Sequence, residues 1–139
     1  MKFLAFNYKG LAGPLKRSTL KRVVNIEHLD VILLQVTLGV GDEVKSRLEC
    51  WFSGWIFEAL DARDRSGGLG LGWNGRTIKN LNVWGMDYVL GLSFSALDLG
   101  EDFTILNIYG PYQNMIPFWE SLLSKSCLRG TSVILGGVM

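Results

Sequence analysis

Apolar and polar positions alternate along the chain with two different periods, and the changes of period mark the elements. Lys2 to Asn7 is a short, mostly apolar run that predicts a buried strand, and Gly10 to Pro14 predicts a loop whose proline can open a helix. From Leu15 to His28, Leu20, Val23, Val24 and Glu27 fall on successive turns with Lys16, Arg17, Lys21 and Arg22 on the other side, the spacing of an amphipathic helix. Asp30 to Gln35 is a continuous apolar run of the kind buried on both faces, and a helix joining it to the first strand predicts a right-handed parallel crossover. Asp42 to Phe52 repeats the helical spacing through Val44, Leu48, Trp51 and Phe52, with Asp42 and Glu43 where the helix dipole favours acids.

Between Gly54 and Tyr109 the pattern changes to short strands separated by turn signals, which predicts an antiparallel meander. Its strands are read as Trp55–Leu60, Gly68–Trp73, Thr77–Trp84, Tyr88–Ser95 and Phe103–Tyr109, with Asn74-Gly75 as the best hairpin turn. Pro117 then opens a helix in which Phe118, Leu122 and Ser126 share a face, and Thr131 to Leu135 is a last apolar strand running into Gly136-Gly137-Val138-Met139. The whole predicts an α/β fold with a mixed sheet and helices on one face. An apolar strand followed at once by the end of the sequence predicts a partial domain over 1–139, whose uncovered sheet face invites self-association.

Composition narrows the partners. Fourteen Lys+Arg against thirteen Asp+Glu give a net charge of +1, so bulk charge favours neither nucleic acid nor an anionic membrane. With 48% hydrophobic and 19% charged residues the chain is not of the disordered class. The longest uninterrupted aliphatic stretch, Val31 to Leu34, is far short of the roughly 20 residues that cross a bilayer. The apolar stretch at the start is too short for a secretory signal, and the chain reads as intracellular. Cys50 and Cys127 lack metal-site spacing and read as buried thiols.

Three motifs have ordinary structural readings. Gly70-Leu71-Gly72-Trp73-Asn74-Gly75 has the spacing of a dinucleotide-binding fingerprint, but the following residues read as a strand, so no helix N-terminus would face a pyrophosphate. His28, the only histidine, sits where the first helix should end. Lys16, Arg17, Lys21 and Arg22 could meet phosphate oxygens, but form a solvated helix face on the plainer reading. The more informative constellation comes from the two crossovers, which place four strand ends on one rim: Asn7, Gln35-Val36, Tyr109 and Gly137-Val138.

At these ends the sequence resembles the endonuclease/exonuclease/phosphatase superfamily, and within it the endonuclease domain of plant LINE-type (non-LTR) retrotransposons. The resemblance runs through Phe3-Leu4-Ala5-Phe6-Asn7 with Gly10-Leu11, Asp30 to Gln35, Arg65-Ser66-Gly67-Gly68, Asn107-Ile108-Tyr109-Gly110-Pro111 and Val133-Ile134-Leu135-Gly136-Gly137. It implies the N-terminal half of a four-layer α/β sandwich, Mg²⁺-dependent hydrolysis of a phosphodiester, a DNA partner and work in the nucleus. It also implies roles for Asn7, which helps orient the metal site, and for Tyr109, which contacts the scissile phosphate. Lys9 and Tyr112 are candidate nucleic-acid contacts, Lys9 standing where the family has arginine and Phe6 where it has tryptophan.

Two departures change what the resemblance implies. Where the family reads Gln-Glu-Thr, with Glu on the metal, this chain reads Gln35-Val36-Thr37; where it reads Gly-Gly-Asp-x-Asn, this chain reads Gly136-Gly137-Val138-Met139. The family's later Asp and its Ser-Asp-His motif have no counterpart in these residues. The expectation is a degenerate domain that binds no Mg²⁺ and cuts nothing. Two rivals remain: a nucleic-acid-binding module using Lys9, Lys16, Arg17, Tyr109 and Tyr112, and a residual phosphoesterase in which Glu58 or Asp87 replaces the lost ligands.

Overall fold

Two parallel crossovers organise the chain, each feeding a different sheet. The computed structural model describes residues 1–7, 14–37, 40–61, 68–86, 88–110, 115–124 and 132–138. In chain order the elements are β1 (Phe3–Asn7), α1 (Pro14–Glu27), β2 (Val31–Gln35), α2 (Gly41–Trp51), β3 (Trp55–Leu60), β4 (Leu69–Asn74), β5 (Ile78–Met86), β6 (Val89–Ala96), β7 (Glu101–Tyr109), α3 (Met115–Leu123) and β8 (Ser132–Val138). The first sheet has the order β1-β2-β4-β3 and the second β5-β6-β7-β8. β1 and β2 are parallel, as are β7 and β8, and all other pairs are antiparallel, so both sheets are mixed.

The expected five-strand meander is divided between these sheets. β3 and β4 belong to the first, where β4 also pairs with β2, and only β5, β6 and β7 form a meander. Asn74-Gly75 is accordingly not a hairpin turn. Both sides of β4 are already occupied, so the chain turns there and leaves for the other sheet. Thr77 N–H donates to the Asn74 carbonyl at 3.2 Å and Arg76 N–H to Asn74 Oδ1 at 3.0 Å. Asn-Gly specifies a tight turn but not the pairing of the strands that flank it.

The sheets pack face to face. Val31, Leu33, Leu71 and Trp73 of the first meet Leu92, Phe94 and Ile105 of the second in one buried cluster. On the outer face of the first sheet, Leu20 and Val24 of α1 and Val44 and Leu48 of α2 pack on Ile32, Leu34 and Phe57. On the outer face of the second, Leu122 of α3 packs on Val89, Leu106 and Ile108. The result is a helix–sheet–sheet–helix sandwich with helices on one face of each sheet. It explains why every residue of β2 is buried. The cover that a lone apolar sheet would lack is supplied by the second sheet, so no whole sheet face is left open. Cys50 is exposed, contrary to expectation. Two residues beyond Leu48 a side chain stands about 200° around the helix, away from the buried stripe; Cys127 lies outside the described residues.

Local chemistry sets the element ends. His28 has φ 51°, and Leu29 N–H donates to the Val24 carbonyl at 3.2 Å, the left-handed cap that closes α1. The N-terminus of α2 is capped from a distance, with Gly41 N–H donating to Asp61 Oδ1 just past β3. Gly72 explains part of the glycine-rich run: a methyl there would lie 2.2 Å from the Phe57 ring, so the strand makes room for an aromatic under α2. Gly72→Ala is expected to destabilise by about 1–3 kcal/mol, and His28→Gly to stabilise by about 0.5–1 kcal/mol. Urea midpoints at unchanged m-value check both.

Candidate functional site at the strand-end rim

The site is built by stacking one parallel pair on the other. Asn7 is register partner to Gln35 at the end of β1 and β2, and Tyr109 to Val138 at the end of β7 and β8. A methyl on Gly136 would meet Leu33 Cδ1 at 2.4 Å and Ala5 Cβ at 3.7 Å, which sets β8 directly over the first pair. Gln35 at the end of β2 reaches Asn107, two residues before the end of β7. The carboxyl ends of β1, β2, β7 and β8 therefore share one rim. They belong to two stacked sheets, as the four-layer sandwich implied by the resemblance requires, and not to the one mixed sheet read from periodicity.

At the rim the two sheets are tied by amides. Gln35 Nε2 donates to Asn107 Oδ1 at 2.6 Å, and Asn107 Nδ2 donates to the Leu34 carbonyl at 3.0 Å and the Gly70 carbonyl at 2.8 Å. Both side chains are fully buried, and both N–H groups and the oxygen of Asn107 are used. Sequence reasoning placed Gln35 at one of the rim's strand ends and Asn107 only within a quoted motif, and gave Asn107 no role. The available signal was an amide at an inward-facing position of an otherwise apolar strand, where only hydrogen bonds offset its desolvation.

Val36 follows at φ 59°, a left-handed conformation that a β-branched residue rarely adopts. The twist turns its N–H, and that of Thr37, to the Gly68 carbonyl at 2.9 and 3.4 Å. It leaves the Val36 side chain half-buried and Thr37 buried. Across the rim Tyr109 is half-buried against the inter-sheet cluster, and its N–H donates to the Tyr88 carbonyl at 3.0 Å. Gly137, at φ 132°, is the tightest point: a methyl there would lie 1.9 Å from the Ile108 carbonyl oxygen, so glycine is required. Asn7 is exposed at the open end of β1.

Other candidates fall elsewhere. Glu58 is paired with Leu71 in mid-strand, away from the rim, and its Oε1 accepts from Lys45 Nζ at 3.0 Å. That hydrogen bond raises the Lys45 pKa above its ordinary value. The α1 basic residues form an outer helix face, where Arg17 lies 5.6 Å above the Trp51 ring of α2. Lys9, Tyr112 and Asp87 lie outside the described residues.

The described rim residues do not fit a magnesium ion. Mg²⁺ takes hard oxygen ligands, ordinarily one or two carboxylates. The side chains assembled here are neutral amides, a hydroxyl and a phenol, and the Asn107 amide is already saturated. The two positions where the resemblance places acids carry valine. Among the described residues no three His, Cys, Asp or Glu side chains gather into a metal-binding group. Two outcomes are expected of variants at this rim. Asn107→Leu leaves the Gln35 amide and two carbonyls unpaired and should cost at least about 3 kcal/mol, whereas Val36→Gly relieves the left-handed strain and should stabilise by about 1 kcal/mol. Chemical denaturation checks each.

No family model and no curated protein matches the sequence. Solved structures do. A mannosyl-6-phosphatase of Bacteroides thetaiotaomicron superposes with a TM-score of 0.70 at 10% identity, covering 97% of this chain and 63% of that one. An endonuclease/exonuclease/phosphatase family protein of the same organism gives 0.71 at 12% identity, covering 96% and 60%. An AP endonuclease of Leishmania major gives 0.59 at 19% identity, covering 90% and 44%. The chain thus spans less than two thirds of the length of these proteins. No helix among the described residues is long and apolar enough to cross a membrane. Two stacked mixed sheets flanked by helices, with four strand ends meeting at one rim, give this chain the fold of the endonuclease/exonuclease/phosphatase proteins.

Proposed function

We propose that the chain is a partial, degenerate endonuclease domain of the LINE-type retrotransposon class, descended from a Mg²⁺-dependent DNA-nicking phosphodiesterase and itself without nicking activity. The observation that carries this reading is Val36. It occupies the position where the resemblance places the metal-binding carboxylate, at the rim of the two-sheet sandwich, and it does so in a backbone conformation that valine disfavours. A retained local twist with an apolar side chain upon it is what loss of a ligand from an existing site leaves behind. Val138 supports the same reading at the register partner of Tyr109. The AP endonuclease among the similar structures is, by its name, a nuclease, which favours a nucleic-acid ancestor; the mannosyl-6-phosphatase shows that the fold alone does not choose the substrate.

Chemistry sets the expected activity. Without carboxylates nothing among the described rim residues gathers metal charge beside a phosphate, and loss of a general base alone removes about 10²–10⁴-fold of rate. Asn7 and Tyr109, which the reading assigns to orienting the site and contacting phosphate, remain without the groups they would assist. A DNA-binding module using Lys9, Lys16, Arg17, Tyr109 and Tyr112 is the second reading. The exposure of Lys16 and Arg17 favours it, while the +1 net charge and the stacking of Arg17 on Trp51 weigh against it.

Plasmid nicking with Mg²⁺ tests the proposal. The folded chain is expected to relax supercoiled DNA no faster than buffer, and retention of DNA on a gel is expected to be weak and unchanged by Lys16→Ala with Arg17→Ala. Metal-dependent nicking that disappears in Tyr109→Phe would overturn the inactive reading. Recovery of nicking in Val36→Glu combined with Val138→Asp would trace the defect to those two side chains.

A further inference from the structure

Among the described residues three other than glycine have a left-handed backbone: His28 at φ 51°, Val36 at 59° and Tyr88 at 67°. The first closes α1, and the second turns the chain out of β2. Tyr88 has no such account. Met86 pairs with Val89, so residues 87 and 88 alone connect β5 to β6, and hairpins this tight call for positive φ, which glycine and asparagine supply at little cost. A tyrosine there strains the backbone, and the turn gains nothing from it that glycine would not give.

The strained residue stands at the rim. Val89 is register partner to Ile108, and the Tyr88 carbonyl accepts from the Tyr109 N–H at 3.0 Å, so the hairpin abuts the end of β7. The Tyr88 ring meets Phe118 of α3 edge to face, with centroids 6.2 Å apart and planes at 79°. Such a contact takes at most one face of the ring, and Tyr88 is 41% exposed. The turn is dictated by the pairing of β5 with β6, at the far side of the sheet from β8, so its strain does not depend on what stands beside β8.

We propose that Tyr88 is a stacking platform for an unpaired base of single-stranded DNA, set beside the phosphate position at Tyr109. The inference rests on the reading of the rim as an inherited phosphodiester site and supplies the class of partner that site would hold. A phenol is flat and neutral, so it offers a π-face and no charge. The backbones of Tyr88 and Tyr109 are joined by a hydrogen bond, so a strand that lays a phosphate at Tyr109 carries an adjoining base past Tyr88. In a duplex each base is already stacked on both faces, whereas an unpaired base has a face to give.

Fluorescence anisotropy of a short labelled single-stranded DNA, titrated with the 139-residue chain in EDTA, is the test. The natural chain is expected to bind a base-bearing strand at least about 5-fold more tightly than an abasic strand of the same length, the least that one base–aromatic stack supplies. Tyr88→Gly should bring the first affinity down to the second while its urea midpoint stays the same or rises, because glycine relieves the turn. Tyr88→Leu keeps the strain without a π-face and should lose as much, whereas Tyr88→Trp should keep the preference. The loss should be equal at about 50 and about 200 mM salt, since stacking releases no counterions. Equal affinity for the two strands, no binding to either, or a preference that survives in Tyr88→Gly would overturn the proposal, and the last with a lowered midpoint would make the ring a brace for α3. Should Tyr88→Gly fail to fold, Tyr88→Leu decides by the same comparison. EDTA keeps binding apart from cleavage: nicking in Mg²⁺ would overturn the inactive reading and not the platform, and loss of the base preference would do the reverse.

Discussion

The register of one sheet on the other at the rim rests on the buried amide of Asn107. Two apolar sheets can slide over each other with little change in buried area, because the hydrophobic effect has no direction. Asn107 supplies direction. Its three hydrogen bonds reach the side chain of one strand end and the carbonyls of two neighbouring strands in the opposite sheet, and each would be an unpaired buried group in a shifted arrangement. With β7 fixed over β2 and β4, the ends of β1 and β8 fall together and Tyr109 is brought to the rim. Close packing of Gly136 on Leu33 then has one solution.

The same arrangement separates architecture from chemistry. The groups that hold the rim together, Gln35, Asn107 and Gly137, are intact and engaged, and the positions that the resemblance assigns to metal and water chemistry hold valine. Structural and catalytic demands rest on different residues only one or two positions apart, so loss of the second need not disturb the first. Val36 is where they touch: on the proposed reading its side chain has left the family's chemistry, while its backbone follows the twist that carries the chain from β2 toward Gly68.

Elements were legible in the sequence because each has one strong local period. Val44 and Leu48 on α2, Leu122 on α3 and the unbroken run of β2 are buried as their spacing predicts. What was not legible is which strand pairs with which. Asn74-Gly75 reads as a hairpin until β2 and β3 are seen on both sides of β4, a fact fixed by residues some forty positions away. The rim was legible only as a set of strand ends. That its polar tie is Asn107, that α2 is capped by Asp61 and that Cys50 faces outward all depend on packing in space. The resemblance supplied roles for Asn7 and Tyr109 that geometry alone does not assign.

The turn from Asn74 to Thr77 has a consequence for how the molecule is assembled from its sequence. Everything before it forms the first sheet with its two helices, and everything after it forms the second sheet with its one. In the second sheet β5, β6 and β7 follow one another across short turns, so their pairing is entropically inexpensive, whereas β8 joins β7 only through the crossover that holds α3. The first sheet must instead bring β2 to β4 across α2 and β3. Closing the β5–β6–β7 meander therefore costs less chain entropy than closing the first sheet, whose apolar inner surface is covered only when the second sheet packs on it.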